Sequence, residues 1–351
     1  MSKKLFSVFV ALCCMTMLAV GSAQAAKKII MKVNAPNNPK AFGDQPQVIQ
    51  TLEFKRIMEE KFPGQVEVRL YWDEQLAKTY DGALNNLQNN VMHLQFYPLT
   101  SMAEYTKAGI PFTNLFLVPY PHVQIIYDAF DGEVGQMVIE RIVKEARVRP
   151  VAFWEVGFRH LMNNKGPIED LDSLKGLKFR VQPNPVHLAS FRALGTNPTP
   201  IPWAELFTAL QQGVVDGTEN PFENIKVARL YEVQKYLTLT GHAFEMGVQA
   251  MGEDFYQSLP DDVRDFMNAT LKELTAKHRE GMLHMNVEML QMFKDKGMQV
   301  NELSIEQLAK FREAVKPAIE VSREQAGAEY TDKFLELMAK YEADYFARTK
   351  Q

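Results

Sequence analysis

Cysteine is almost absent from this chain of 351 residues. It has two cysteines, Cys13 and Cys14, and both lie within residues 1–25. Those residues show the order of a secretory signal peptide: basic MSKK, the apolar run LFSVFVALCCMTMLAV, and a small-residue cleavage site at Ala23-Gln24-Ala25. We therefore expect residues 1–25 to be removed on export. The mature chain then has no cysteine, which excludes a disulfide framework and a cysteine nucleophile.

Long apolar runs and an excess of basic residues are missing as well. After residue 25 no stretch reaches the roughly 18 continuous apolar residues of a membrane helix. An uncleaved N-terminal anchor is the less favoured alternative, because the first apolar run is short for a span and its flanks fit export. Without Lys3 and Lys4 the chain has 37 Lys and Arg against 43 Asp and Glu, a net charge of −6, which argues against a nucleic-acid partner. These properties predict an exported, periplasmic protein with enough chain for two domains.

The sequence also lacks the common catalytic motifs. It contains no G-x-S-x-G, G-x-G-x-x-G, P-loop or H-E-x-x-H pattern. His278 and His284 lie six residues apart in a helical pattern, which is a poor spacing for two metal ligands on one face. Asp216 and Glu219 could form an acid/base pair, although loop polarity and local capping are the simpler interpretation. We therefore expect a binding protein and not an enzyme, with no metal and no cofactor.

What the sequence does contain is an alternation of short apolar runs and helical patterns, which favours an α/β fold. KIIMKVN, QVEVRLYW, VMHLQFYP and LKFRV predict strands, and PWAELFTALQQG predicts a helix. Residues 258–297 keep one helical stripe for about 35 residues, a rod of about 50 Å, which is long enough to run along two domains. We expect this helix to start at a Ser258-x-x-Asp261 cap and Gly281 to be a candidate bend. Ser304 and Gln307 have the spacing of a capping box.

A longer pattern covers residues 157–225. In order, it consists of GFR and NNKGPI, then LKGLKFRV, then ALGTNPTPIPWAELFTALQQGVVDGTENP. These motifs resemble the solute receptors of tripartite ATP-independent periplasmic (TRAP) transporters, of the DctP type, and the resemblance extends more weakly over residues 26–351. It implies a two-lobe α/β periplasmic binding protein fold with crossing strands, a long helix spanning both lobes, a helical C-terminus and a ligand enclosed between the lobes. Lobe one would hold residues 26–157 and 246–285, and lobe two residues 158–245 and 286–351.

The resemblance also implies which residues contact the ligand. In similar receptors the arginine of the K-x-R-V strand makes a two-pronged salt bridge to the ligand carboxylate, and the matching residue here is Arg180. A guanidinium suits this role because its planar fork matches a carboxylate and stays charged. The other implied contacts are Asn220 near the same anionic group, Arg159 as a second cleft arginine, Trp203 beside the carbon skeleton, and Asn34, Phe96 and Tyr97 from lobe one. The alternatives are structural: a turn asparagine, an inter-lobe salt bridge for Arg159, and core packing for the aromatic residues.

The function that the resemblance implies is capture of a small organic anion, a carboxylate or a sulfonate, and its delivery to a membrane permease driven by an ion gradient. The segment NNVMHLQFYPL lacks an acidic residue that members often carry before this strand, so the identity of the ligand stays open. The alternatives are a receptor of an ATP-driven importer, a sensor subunit and, less favoured, a periplasmic enzyme acting on an organic acid. We expect a monomer.

Overall fold

The computed structural model describes residues 28–35 and 37–349. Within them, one mixed sheet of nine strands is the frame of the molecule. The strands are β1 (Ile29–Asn34), β2 (Val66–Tyr71), β3 (Leu94–Pro98), β4 (Val148–Asn163), β5 (Lys178–Val181), β6 (Asn197–Pro200), β7 (Gly217–Pro221), β8 (Tyr236–Gly252) and β9 (Gln299–Glu302). Their order is β2-β1-β3-β8-β4-β7-β5-β6, with β9 paired to β8. The strands predicted from KIIMKVN, QVEVRLYW, VMHLQFYP and LKFRV are confirmed as β1, β2, β3 and β5.

Two long antiparallel strands join two groups of shorter ones. β4 has 16 residues and β8 has 17, and they pair along most of their length. On one side of them β1 is parallel to β2 and β3, and on the other side β5 is parallel to β6 and β7. At about 3.3 Å per residue each long strand spans about 50 Å, so both strands pass through both groups. They are the crossing strands that the resemblance implied.

Helices cover the sheet and make up most of residues 253–349. They are α1 (Pro39–Phe42), α2 (Pro46–Lys61), α3 (Tyr80–Gln88), α4 (Gln124–Asp131), α5 (Glu133–Ala146), α6 (Pro185–Ala193), α7 (Leu206–Gln211), α8 (Phe222–Val227), α9 (Glu253–Ser258), α10 (Asp261–Asp295), α11 (Ile305–Ala314), α12 (Ala318–Ala326) and α13 (Ala328–Thr349). None of the helices in the described part of the chain is long and apolar enough to cross a membrane. The predicted signal peptide lies outside the described residues.

The long helix α10 confirms the predicted rod, with one correction. Its 35 residues are continuous through Gly281, where an added Cβ would lie 3.0 Å from Cγ of Pro46, so the glycine allows α2 to pack closely. The predicted Ser258 cap is wrong. Ser258 ends α9, its hydroxyl donates to the carbonyl of Phe255, and Pro260 precedes α10 without a side-chain cap. The capping box at Ser304 is formed in one direction, because the Ser304 hydroxyl accepts from the Gln307 backbone N–H.

Buried apolar residues form separate cores on the two sides of the crossing strands. The first half of α10 packs Val263 and Leu271 with β1, β2 and α2, whereas its second half packs Met285 and Phe293 with α7 and α8. One helix departs from the predicted division. The sequence placed 286–351 in lobe two, but α13 buries Phe334, Leu337 and Met338 against α4 and α5, within the core of predicted lobe one. The apolar stripe of α13 determines this position, because the apolar surface that it packs against is formed by α4 and α5 of predicted lobe one.

A pair of buried carboxyl groups lies where β4 meets α8. Burial raises the pKa of Glu155, on β4, to about 7, although the hydroxyl of Tyr127 donates to it and Arg279 is near. Burial also raises the pKa of Glu223, on α8, to about 7, and the nearby charge of Glu155 adds to that shift. Both groups therefore hold protons in the folded state at pH values where an exposed glutamate has lost them.

The raised pKa of Glu223 predicts that the parent protein and the variant Glu223→Gln differ in stability by an amount that depends on pH. A carboxyl whose folded pKa is raised stabilises the fold fully below its unfolded pKa near ~4.3 and loses that contribution as the pH rises through about 7. Glu223→Gln keeps the shape of the protonated group without its ionisation. The variant should match the parent at about pH 4, below the unfolded pKa, and be more stable by about 1–3 kcal/mol at pH 8 in urea unfolding. The control is Glu288→Gln, which makes the same substitution at an exposed position of α10. A Glu223→Gln difference independent of pH would contradict the assignment.

Candidate functional site

A cleft of about 860 Å³ is lined from both strand groups. The segments after β2 and β3 form one wall, and the segments after β5, β6 and β7 form the other. Val156 of β4 and Glu245 of β8 contribute from the crossing strands. Crevices outside the carboxyl ends of strands are common ligand sites in α/β folds. Four of the seven predicted contacts line this cleft: Arg180, Asn220, Trp203 and Phe96.

Arg180 is a buried cation with little compensation. It lies on β5 between two parallel neighbours, and only 2% of it is exposed. Its Nε donates to the carbonyl of Ile201 at 2.9 Å, while Nη1 is buried without a hydrogen-bond partner in the described residues. Burial lowers the pKa of Arg180 to about 10, so the guanidinium is still charged at neutral pH. A buried charge with free donors at a cleft wall favours an anion there.

Two asparagine amides add donors to the same wall. The Nδ2 atoms of Asn220 and Asn184 are buried and have no partner among the described residues. The Asn184 Oδ1 accepts from the backbone N–H groups of Val186 and His187, because Asn184 caps α6. The Asn220 Oδ1 lies 3.4 Å from Nη2 of Arg159. In both residues the oxygen is held by the protein, so the amide NH₂ is left for a ligand.

The aromatic residues of the cleft differ in exposure. Trp203 begins a short 3₁₀ segment, Trp203–Glu205, and is 45% exposed, so it is not packed in a core. Phe96 is half-buried against Trp154, with ring centroids 5.9 Å apart. Its ring also occupies the space beside Gly247, where a Cβ would come within 2.2 Å of it. The two rings therefore provide apolar surface on opposite walls of the cleft.

Arg159 does not line the cleft, which corrects its predicted position. It is fully buried and forms ion pairs with Glu219 at 2.5 Å and Glu245 at 2.9 Å. Burial opposes ionisation of Glu219, yet the charge of Arg159 and a hydrogen bond from His242 lower the pKa of Glu219 overall. All three residues belong to predicted lobe two, so these ion pairs lie within that lobe. The contact that reaches the other wall is the hydrogen bond that Glu245 accepts from Thr100, beyond β3, at 2.8 Å.

Asn34 and Tyr97 are also placed elsewhere. The Nδ2 of Asn34 donates to the carbonyl of Ala77 and to the side chain of Gln95, and its Oδ1 accepts from the backbone of Leu76. These bonds use the whole amide. Tyr97 is fully buried, and its hydroxyl donates to the carbonyl of Tyr80. Both residues support the cleft wall from behind. The sequence could not place them there, because a strand-end position does not specify which face of the sheet a side chain takes.

Sequence reasoning missed several residues at the cleft. Asn184 carried a signal, because an asparagine before a proline at a helix start is a typical cap whose amide nitrogen stays free. Glu245 carried another, as a charged residue inside the apolar strand GHAFEMGVQAMG. Glu74 and Tyr80 lie in a loop and a helix start that gave no signal. The imagined acid/base pair is not formed at the cleft, since Asp216 accepts from the backbone of Lys178 and Glu219 is paired with Arg159.

The buried ion pairs of Arg159 predict that its substitution strongly destabilises the fold. Arg159→Met leaves two buried carboxylates without their counter-charge, so we expect a loss of about 3–5 kcal/mol in urea unfolding at pH 7. Arg147→Met is the matched control, because Arg147 pairs with Asp254 at the surface and such pairs contribute about 0–1 kcal/mol. Equal effects of the two substitutions would show that the buried network does not carry this energy.

Comparisons with known proteins agree on one family. Residues 41–325 match the family model described as bacterial extracellular solute-binding protein, family 7, named DctP. The C4-dicarboxylate-binding periplasmic protein DctP of Rhodobacter capsulatus is 30% identical over 318 residues, covering 89% of this chain and 92% of that protein. The sialic acid-binding periplasmic protein SiaP of Vibrio cholerae is 27% identical, covering 86% of this chain and 90% of that protein.

Solved structures agree with the sequence relatives. A TRAP periplasmic solute binding protein from Ochrobactrum anthropi has a TM-score of 0.82 and 32% identity, covering 91% of this chain and 97% of that one. A sugar acid binding protein from Advenella mimigardefordensis, in complex with galactonate, has a TM-score of 0.79 and 27% identity, covering 90% and 99%. The predicted two-lobe fold is thereby confirmed. With the matched family model over most of its length, the chain belongs to the bacterial extracellular solute-binding protein family 7, the DctP-type periplasmic receptors of TRAP transporters.

Proposed function

We propose that this receptor binds a small organic anion, a carboxylate or a sulfonate, in the cleft beside Arg180. The observation that carries the proposal is the buried guanidinium with an unpartnered Nη1, flanked by the free amide donors of Asn220 and Asn184. An anionic group with two or three oxygens would pair with all of them. Charge-assisted hydrogen bonds of this kind contribute roughly 1.5–3 kcal/mol each.

The relatives support an organic acid as the ligand. The Rhodobacter capsulatus relative is named for C4-dicarboxylates, and the Advenella mimigardefordensis structure holds galactonate. A TRAP receptor structure from Shewanella oneidensis, 25% identical, holds succinate. These ligands share a carboxylate and differ in the rest of the molecule. A sulfonate offers the same fork-shaped oxygen pair, so the proposal includes it.

The remaining predicted residues take supporting roles in this proposal. Trp203 and Phe96 flank the carbon skeleton from the two walls. Arg159 acts indirectly: its guanidinium holds the Asn220 oxygen, so that the amide nitrogen faces the anion. Asn34 and Tyr97 keep the wall of predicted lobe one in shape through their bonds to Ala77, between β2 and α3, and to Tyr80, at the start of α3.

Lobe closure links binding to transport. We assign residues 26–157 and 246–285 to lobe one, together with α13 because of its packing, and residues 158–245 and 286–327 to lobe two. A ligand that contacts both walls favours the closed state, which is a population shift. The closed receptor, exported by its signal peptide and acting as a monomer, delivers the anion to the permease subunits of the transporter. The neighbouring genes distinguish the rival functions, since an ATP-driven importer has an ATPase beside the permease.

A thermal-shift screen of small carboxylates and sulfonates tests this function. A ligand that binds the folded state only stabilises it by about 2.7 kcal/mol at a hundred times its Kd, so the melting temperature should rise. Each active compound should be recovered unchanged after incubation, because a receptor releases what it binds. The absence of a shift with every organic anion would refute the ligand class, and a converted compound would point to an enzyme.

Arg180→Lys should weaken binding of the anion found in the screen by about tenfold or more. Lysine keeps the positive charge but loses the planar fork, and the melting temperature without ligand should stay close to that of the parent. Isothermal calorimetry measures the affinity. Arg192→Lys on the exposed side of α6 is the matched control and should bind as the parent does. Unchanged affinity in Arg180→Lys would remove Arg180 from the site.

A further inference from the structure

The cleft contains one carboxylate, that of Glu74, that no other described residue engages through a hydrogen bond or an ion pair. Glu74 follows β2, lines the wall of predicted lobe one and is half-buried. Within residues 28–35 and 37–349, no hydrogen bond or ion pair involves its side chain. Because the half-buried carboxylate of Glu74 is partly removed from water, burial raises its pKa. A ligand group in the cleft is the partner that such a residue lacks.

The chain around Glu74 is held firmly in an unusual conformation. Asp73 and Glu74 have φ values of 54° and 55°, in the left-handed region that residues other than glycine rarely adopt. The side chain of Asn34 fixes this segment through the Leu76 N–H and the Ala77 carbonyl, and the Glu74 N–H donates to the carbonyl of Ala35. The backbone bearing Glu74 therefore has a fixed position at the wall.

The two walls of the cleft differ in polarity. The wall of predicted lobe two has unpartnered donors more than nine-tenths buried on Arg180, Asn220 and Asn184. The wall of predicted lobe one has the carboxylate of Glu74, and Glu245 lies between the two walls on the crossing strand β8. Burial, and then the nearby charges of Glu74 and Glu245, raise the pKa of the Tyr80 hydroxyl. Glu245 is already paired with Arg159, whereas Glu74 is not. One end of the cleft thus favours an anion, and the other favours a hydrogen-bond donor.

We propose that Glu74 is a specificity residue, which accepts a hydrogen bond from a hydroxyl or ammonium group at the far end of the bound anion and excludes a second carboxylate. This inference rests on the proposed function and narrows the ligand to a compound with one anionic group and a hydrogen-bond donor, a hydroxyl or an ammonium, at its other end. An ionised carboxylate is an acceptor only, so it pairs with O–H or N–H groups and repels another carboxylate across a desolvated cleft.

Two lysines at the cleft could favour the second carboxylate that Glu74 is proposed to exclude. Lys78 and Lys107 also line the cleft, and either ammonium could attract a second carboxylate. Lys78 is exposed, however, and Lys107 is half-buried. An exposed ammonium keeps its water, and its charge is screened by salt, so it contributes little selectivity. Lys107 is half-buried like Glu74, and we assign the preference to Glu74 because its backbone is held in place at the wall by Asn34 and Ala35.

The test compares ligands of equal length that differ only at the far end. The probes are α,ω-dicarboxylates, ω-hydroxy acids and ω-amino acids of three to six carbons, for example succinate, 4-hydroxybutyrate and 4-aminobutyrate, each titrated by calorimetry at pH 7.5. In the parent protein the best hydroxy or amino acid should bind at least tenfold more tightly than the dicarboxylate of the same length. Which of the two binds better identifies the donor as a hydroxyl or an ammonium.

Variants connect that preference to Glu74. Glu74→Gln should reduce the ratio between the monoanion and the dicarboxylate by at least tenfold, with an unchanged melting temperature in the absence of ligand. Asp81→Asn is the matched control: Asp81 is an exposed acid at the same cleft, and its variant should keep the ratio within about threefold.

Three outcomes would overturn the inference. If the dicarboxylate binds most tightly, or if Glu74→Gln leaves the ratio unchanged, the specificity role is wrong while the proposed receptor function stands. Lys107→Gln would then show whether Lys107 holds the second carboxylate. If none of the probes and no anion in the thermal screen binds, the proposed function fails, and the inference fails with it.

Discussion

The cleft depends on the contrast between two buried arginines, on β4 and β5, two strands that β7 separates in the sheet. Arg159 has its charge balanced by Glu219 and Glu245, whereas Arg180 keeps a buried Nη1 without any partner in the described residues. Removing a charge from water is costly unless it is paired, so an uncompensated guanidinium persists only where the rest of the fold holds it in place. The Arg159 network is part of that support, because it fixes β7 and the orientation of Asn220 beside Arg180.

The same network explains how the two walls of the cleft can respond together. Glu245 lies on β8, one of the two strands that pass through both strand groups, and it accepts hydrogen bonds from Thr100 on one side and Arg159 on the other. A ligand that pairs with Arg180 and Asn220 therefore binds next to a chain of polar contacts that reaches the opposite wall. Both walls contact this chain directly, so a change at one wall alters the environment of the other.

The sequence predicted the frame of the structure better than the details of the site. Alternation in LKFRV identified β5 and placed Arg180 on its polar face, because a strand's period of two is local information. Arg159 could not be placed in the same way, since its partners Glu219 and Glu245 lie 60 and 86 residues away along the chain. Asn34 and Tyr97 were assigned from strand-end positions, which do not specify side-chain direction. The position of α13 was missed for a similar reason: its apolar stripe fits any apolar surface, and only the fold determines which one it meets.

Affinity and specificity are separated in this arrangement. In the proposed function, the anchor formed by Arg180, Asn220 and Asn184 would bind the anionic group that organic acids share. Discrimination among acids would then come from the opposite wall, where Glu74 and Tyr80 lie and where NNVMHLQFYPL departs from the motifs of similar receptors. To discriminate between ligands, the cleft wall needs a polar group that is fixed in position and has no partner within the protein. A mobile or already paired group would disfavour the wrong ligand only weakly. Glu74 meets both conditions, since its backbone is fixed through Asn34 and Ala35 and its carboxylate has no partner in the described chain.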